Sequence, residues 1–134
     1  MTTASKRGLL LIASLIVTFV VLRLSLYISP NSNFDVGQYN IHHLFTGLVV
    51  LTFAAIPLLM FKQNNRFTDL LVIVSGIGLS MALDEWVYLI ATDGSDAAYL
   101  LPVSFWGGVI VIGIVVIYIA LLMLFSRFIR KPGK

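Results

Sequence analysis

Four apolar stretches, each long enough to cross a membrane as a helix, occupy most of this 134-residue chain. A helix needs roughly 20 apolar residues to span the hydrocarbon of a bilayer. The stretches cover about residues 8–28, 41–61, 69–91 and 103–125. Backbone N–H and C=O groups inside a bilayer must bond to one another, which favours helices. The sequence therefore predicts an all-α, polytopic four-helix membrane bundle, with residues 1–134 as a single transmembrane domain.

The composition excludes several other classes of protein. Hydrophobic residues make up 59% of the chain and charged residues only 11%, whereas a soluble domain has roughly 25% charged residues. The chain has no cysteine, so disulfides and thiolate metal sites are excluded. A cleaved signal peptide is the alternative for the first stretch, but its apolar run is longer than a typical signal core, and no small-x-small cleavage site follows Tyr27.

The charged residues divide between the two ends of the predicted bundle. The basic end carries eight Lys or Arg residues: Lys6, Arg7, Lys62, Arg66, Arg127, Arg130, Lys131 and Lys134. The opposite end carries Asp35, Asp93 and Asp96 and no Lys or Arg. The positive-inside rule then predicts a multi-pass protein of the cell membrane with both termini in the cytoplasm. This distribution also explains the net charge of +3 without a nucleic-acid partner.

The third stretch contains two adjacent acids, Asp84 and Glu85. A carboxylate in hydrocarbon is costly, so such residues usually face a partner, a cavity or a pathway. Asp84 lies 15 residues beyond Asp69, or roughly 22 Å from the basic end. Arg23, the only basic residue inside a stretch, lies at a similar depth of roughly 21 Å. We therefore predict a buried ion pair of Arg23 with Asp84 or Glu85.

Two histidines, His42 and His43, open the second stretch at roughly 28–30 Å from the basic end. This depth places the imidazoles somewhat above the carboxylates, so direct contact would need a deeper helix start, a water or an ion. Imidazole and carboxylate together suit Zn, Fe or Mn. A divalent metal site of His42, His43, Asp84 and Glu85 is one interpretation, although no Glu-x-x-His or His-x-x-x-His spacing supports it. The alternative is that one histidine caps the outer end of the helix and the other faces solvent or headgroups.

Acid–base chemistry is a second interpretation of the same residues. Asp84 and Glu85 would act as catalytic groups with the histidines as proton partners. The structural alternative is a polar cluster that fixes the helix register, because polar groups also hold membrane helices together. Gly76, Ser80, Asp84 and Tyr88 recur every four residues and form one stripe, while Glu85 is rotated by about 100° from that stripe.

Three functions remain open from these residues. The leading hypothesis is a site in the outer half of the bilayer that binds a divalent metal or a polar headgroup and acts on a lipid-like substrate. A proton- or ion-coupled small transporter or channel subunit is the second, and a non-catalytic subunit of a membrane complex is the third. Below Ser75 the third stretch offers only Leu, Val and Ile down to Asp69, which favours a dead-end site. Besides the lipid bilayer, a homo-oligomer or a larger membrane complex is the expected partner.

Two short motifs carry a resemblance to a known group. The segment from Ile41 to Gly47 contains His42 and His43. The segment that starts at Gly76 ends in Leu-Asp-Glu at Glu85. Together they resemble small uncharacterised prokaryotic four-span integral membrane proteins with a His-His-x-x-x-Gly helix start and a Leu-Asp-Glu helix. The resemblance covers the second and third stretches only. It implies that the two motifs form one unit, and it implies no activity.

Overall fold

A computed structural model describes residues 2–29, 35–36, 39–40, 42–61 and 64–129 of the chain. The described part contains five helices: α1 (Thr3–Ile28), α2 (His43–Met60), α3 (Arg66–Ala91), α4 (Asp96–Tyr99) and α5 (Pro102–Ile129). Strands β1 (Asp35–Val36) and β2 (Tyr39–Asn40) pair antiparallel between α1 and α2. All helices except α4 are long and apolar enough to cross a membrane. The predicted all-α architecture with four long apolar helices is confirmed, and the location of the termini stays a prediction.

Side-chain caps set the beginnings of α1 and α3. Thr2 Oγ1 accepts the N–H of Ser5 at 3.2 Å, and Asn65 Oδ1 accepts the N–H of Thr68 at 3.0 Å. Such caps satisfy backbone donors that have no partner within the helix. Because of its cap, α3 begins at Arg66, three residues before the predicted span. This earlier start changes the depth of the groups at the far end of α3.

Helix α3 is the central element of the bundle. It packs against α1, α2 and α5, and α1 also packs against α5, whereas α2 contacts no described helix other than α3. Gly8 near the start of α1 lies against Met123 near the end of α5, and Gly107 near the start of α5 lies against Val87 near the end of α3. Helix α5 therefore runs antiparallel to α1 and α3. Among the described helices, α3 contributes more buried residues than any other.

Glycines allow the close approach of α2 to α3. A Cβ on Gly78 would lie 2.6 Å from the backbone nitrogen of Leu51 and 2.7 Å from the carbonyl oxygen of Gly47. A Cβ on Gly47 would lie 2.5 Å from the carbonyl oxygen of Gly78. Both clashes involve backbone atoms, which cannot rotate away. The two helices therefore touch backbone to backbone, as in other membrane helix pairs with small residues at the contact.

The stripe of α3 that includes Gly76 and Ser80 faces α1. A Cβ on Gly76 would meet the side chain of Ser14 and the carbonyl oxygen of Leu11. The hydroxyl of Ser80 donates to the carbonyl oxygen of Leu15 at 2.8 Å. This stripe fixes the rotation of α3 and thereby decides which helices its two acids face.

Candidate functional site

Asp84 and Glu85 are both buried in α3, with 0% and 3% of their surfaces exposed. Successive residues of a helix point about 100° apart. Asp84 therefore faces α1 and α5, where it meets Arg23, while Glu85 faces the start of α2, where it meets His43. The two acids serve two separate polar clusters.

Arg23 pairs with Asp84 and not with Glu85. The Nε and Nη2 atoms of Arg23 both lie 2.7 Å from Oδ1 of Asp84. The guanidinium reaches α3 from α1 at the depth that helix geometry predicts. Removing one member of such a pair would leave an uncompensated buried charge.

The remaining donors of Arg23 bond to the segment around the start of α5. Nη1 donates to the carbonyl oxygen of Tyr99 at 3.1 Å and to Oγ of Ser104 at 3.2 Å. Nη2 donates to the carbonyl oxygen of Ser104 at 3.1 Å and to that of Asp84 at 3.4 Å. A guanidinium has five N–H donors, so these acceptors use its capacity fully. We call Arg23, Asp84, Tyr99 and Ser104 the arginine cluster.

Tyr99 is a member of the arginine cluster that the sequence did not reveal. Its hydroxyl donates to Oδ2 of Asp84, and its ring lies under the guanidinium of Arg23, 4.2 Å from ring centroid to Cζ. Such cation–π stacking is favourable, more so where water is excluded. In the sequence, Tyr99 lies in the connection between the third and fourth stretches, where no helical spacing predicts its contacts.

A short turn after α3 brings Tyr99 into contact with Arg23 and Asp84. Gly94 adopts a positive φ of 74°, a conformation that glycine tolerates well. The backbone N–H of Ser95 donates to Oδ1 of Asp93 at 3.1 Å, and its hydroxyl donates to the same oxygen at 2.8 Å. These bonds lower the pKa of the Asp93 carboxyl. The Tyr88 hydroxyl also donates to the carbonyl oxygen of Ser95 at 3.1 Å, which ties the turn to α3.

Glu85 lies at the start of α2. Its Oε1 lies 3.2 Å from Nδ1 of His43 and 3.8 Å from Nδ1 of His42. Its Oε2 accepts the backbone N–H of Leu44 at 2.8 Å. Glu85 therefore supplies from α3 the acceptor that a capping side chain usually supplies from within the same helix. We call His42, His43 and Glu85 the imidazole site.

The expectation that the imidazoles lie above the carboxylates without direct contact is wrong for His43 and Glu85. Measured from the observed helix ends, Glu85 lies 19 residues beyond Arg66, or roughly 28 Å along α3. His43 lies 17 residues from Met60, or roughly 26 Å along α2. The two groups share a depth because α3 begins three residues earlier than predicted and α2 ends earlier.

The four predicted metal ligands are divided between the two clusters. Asp84 belongs to the arginine cluster, while His42, His43 and Glu85 share the imidazole site. Within the described residues, no group of three or more His, Asp or Glu side chains is placed to hold a metal ion. The interpretation of all four residues as ligands of one metal thus receives no support from the described side chains.

Aromatic rings connect the two clusters. The ring of His42 lies 6.0 Å from that of Tyr88, and the ring of Tyr88 lies 5.1 Å from that of Tyr99 in an edge-to-face arrangement. Such contacts are favourable at these separations. Tyr88 is buried, and its ring lies between Tyr99 of the arginine cluster and His42 of the imidazole site.

Comparison with known proteins gave no relatives on which to base a function. No family model, no curated protein and no solved structure matches the chain.

Proposed function

We propose that the chain is a multi-pass integral membrane protein that binds a small polar ligand at the imidazole site, in the outer half of the bilayer. The ligand is a divalent metal ion or the polar headgroup of a lipid-like molecule. The observation that carries the proposal is the buried carboxylate of Glu85, which lies 3.2 Å from Nδ1 of a partly exposed His43.

The carboxylate gives the imidazole a defined chemistry. In this proposal Glu85 is ionised and only accepts hydrogen bonds, which makes Nδ1 of His43 the donor. A neutral imidazole that donates through Nδ1 has a lone pair on Nε2, which can bind a metal or accept a proton. Buried carboxylates orient metal-binding histidines in the same way. Glu85 then orients the imidazole and does not itself contact the ligand.

The exposed fractions of the side chains also support ligand binding by the histidines and an orienting role for Glu85. The side chains of His43 and His42 are 30% and 23% exposed, while that of Glu85 is 4% exposed. A ligand would therefore meet the imidazoles first. Asp84 is fully buried, and both of its carboxylate oxygens are bonded within the arginine cluster. We assign Asp84 a structural role and place the ligand chemistry at the histidines.

Hydrogen bonds below the two acids favour a dead-end site over a transport pathway. The hydroxyl of Ser80 donates to the carbonyl oxygen of Leu15, and that of Ser75 to the carbonyl oxygen of Leu71, both at 2.8 Å. The first bond joins α3 to α1, and the second lies within α3. They do not extend the polar site toward the basic end.

Titration of metal-stripped protein in detergent with Zn²⁺, Mn²⁺ and Fe²⁺ tests the metal branch of the proposal. We expect stoichiometric binding of one of these ions by the wild type and loss of it in a double His42→Ala, His43→Ala variant. Glu85→Gln should weaken the affinity by about 10- to 100-fold, as other orienting partners do. Asp93→Asn, which removes an exposed acid at the same end, is the matched control and should leave binding unchanged.

Mass spectrometry of lipid retained by the same variants tests the headgroup branch. A headgroup ligand should co-purify with the wild type and with Asp93→Asn, and be lost with the two histidines. If neither metal nor lipid binding responds to the double histidine variant while the protein remains folded, the proposal is wrong.

A further inference from the structure

A second polar cavity lies at the basic end of the bundle, far from the imidazole site. It has a volume of about 340 Å³ and lies between the first turns of α1 and α3. Its lining includes Thr3 and Lys6 from α1 and Asn64, Arg66 and Asp69 from the α3 side. The cavity is thus polar, although it lies at the end of two apolar spans.

Among the residues that the structure describes, one cation of this cavity has no partner. Lys6 Nζ lies 2.5 Å from Oδ2 of Asp69, so these two charges offset each other. Arg66 is exposed, and it makes no hydrogen bond or ion pair with any residue that the structure describes. Arg66 therefore gives the cavity one net positive charge and a free guanidinium.

Neutral hydrogen-bond donors line the cavity beside the guanidinium of Arg66. Asn64 Nδ2 donates to Oγ1 of Thr3 at 3.3 Å. Because Oγ1 of Thr3 is the acceptor in this bond, its own O–H remains to donate to another group. A guanidinium beside a hydroxyl donor suits a tetrahedral oxyanion, since planar guanidinium N–H pairs match two oxygens of a phosphate.

We propose that this cavity binds the phosphate group of an anionic phospholipid headgroup. The cavity lies at the end of two spans, where headgroups of the adjacent leaflet would meet it. The positive-inside rule assigns that end to the cytoplasmic leaflet, which is rich in anionic lipid. Basic pockets between membrane helices on this side commonly bind such headgroups. The cavity and the imidazole site lie at opposite ends of the bundle, so ligand binding at one does not depend on the other.

The test measures lipid selectivity of the full chain in nanodiscs. The discs contain phosphatidylcholine mixed with phosphatidylglycerol, and native mass spectrometry counts the lipids that remain bound to the protein. Wild type should retain phosphatidylglycerol over phosphatidylcholine. Arg66→Gln should lower that preference by about fivefold, the factor that corresponds to about 1 kcal/mol for one basic residue near an anionic surface. Arg66→Gln removes no contact with a described residue, so folding should be preserved.

Arg127→Gln is the matched control, because Arg127 is an exposed arginine in the last turn of α5 at the same end of the bundle. It should keep the preference for phosphatidylglycerol within about twofold, well below the effect of one bound basic residue. An equal loss in both variants would mean diffuse attraction by the basic end, and would overturn the proposal. A wild type with no preference for phosphatidylglycerol over phosphatidylcholine would also overturn the proposal.

Two further measurements complete the test. Inorganic phosphate at millimolar concentration should not displace the retained phosphatidylglycerol, and displacement would mean that the cavity binds a free phosphate and not a lipid. Thr3→Val removes the hydroxyl donor while keeping the side-chain shape, and it should lower the preference by a smaller factor than Arg66→Gln. A preference unchanged in both Thr3→Val and Arg66→Gln would overturn the proposal.

Discussion

Arg23 on α1 and Asp84 on α3 meet with two guanidinium nitrogens 2.7 Å from one carboxylate oxygen. The pair lies at a depth where neither charge would be stable alone. Tyr99 and Ser104 accept hydrogen bonds from the other N–H groups of Arg23, so no donor of Arg23 is left for a ligand. The charge pair is therefore part of what holds α1, α3 and α5 together.

Arg23→Leu should destabilise the protein by about 3–5 kcal/mol, because it leaves the buried carboxylate of Asp84 without its cation. The double variant Arg23→Leu, Asp84→Leu should recover at least half of the loss, since two apolar side chains have no charge to compensate. The free energy of unfolding in detergent measures both effects. A double variant that is less stable than Arg23→Leu would contradict a role limited to charge pairing.

Gly78→Ala should destabilise the protein by about 1–3 kcal/mol, the usual range for overpacking. Its Cβ would lie 2.6 Å from backbone of α2, so the helices must separate. Gly113→Ala in α5 is the control, because a Cβ there meets no atom within 4 Å. That control should be neutral or stabilising by up to about 1 kcal/mol. Thermal unfolding temperatures of the two variants test this prediction. Equal unfolding temperatures would argue against backbone contact between α2 and α3.

Tyr99→Phe should cost about 1–2 kcal/mol, because it removes the donor to Oδ2 of Asp84 and keeps the ring under Arg23. Tyr27→Phe is the matched control at a side chain that is 82% exposed, and it should change stability by less than about 0.5 kcal/mol. Unfolding free energies of both variants provide the comparison. Identical values would remove the Tyr99 hydroxyl from the arginine cluster.

The predicted orientation can be measured directly, because the chain has no native cysteine. Ala97→Cys places a thiol at an exposed position between α3 and α5, and Phe128→Cys places one at an exposed position near the end of α5. By the positive-inside rule, a membrane-impermeant maleimide added to intact cells should label Cys at 97 and not at 128. Permeabilised cells should label both. The reverse pattern in intact cells would place the basic end outside.

The polar side chains show how far sequence reasoning reaches. Matching depths along two helices predicted that Arg23 would meet an acid of α3, because rise per residue is nearly constant. The same arithmetic misplaced His43 relative to Glu85, because it depended on helix ends that caps and turns determine. Tyr99 could not be found in this way, since a residue in a connection has no fixed rise or rotation.

The sequence by itself determined the four long apolar stretches, the concentration of basic residues at one end and the shared depth of Arg23 and Asp84. These depend on local quantities: hydrophobicity summed over about 20 residues and a fixed helical rise. Only the tertiary structure decided that Asp84 pairs with Arg23 while Glu85 pairs with His43. That choice depends on the rotation of α3, and contacts between residues distant in sequence, Gly78 with α2 and Ser80 with α1, set this rotation.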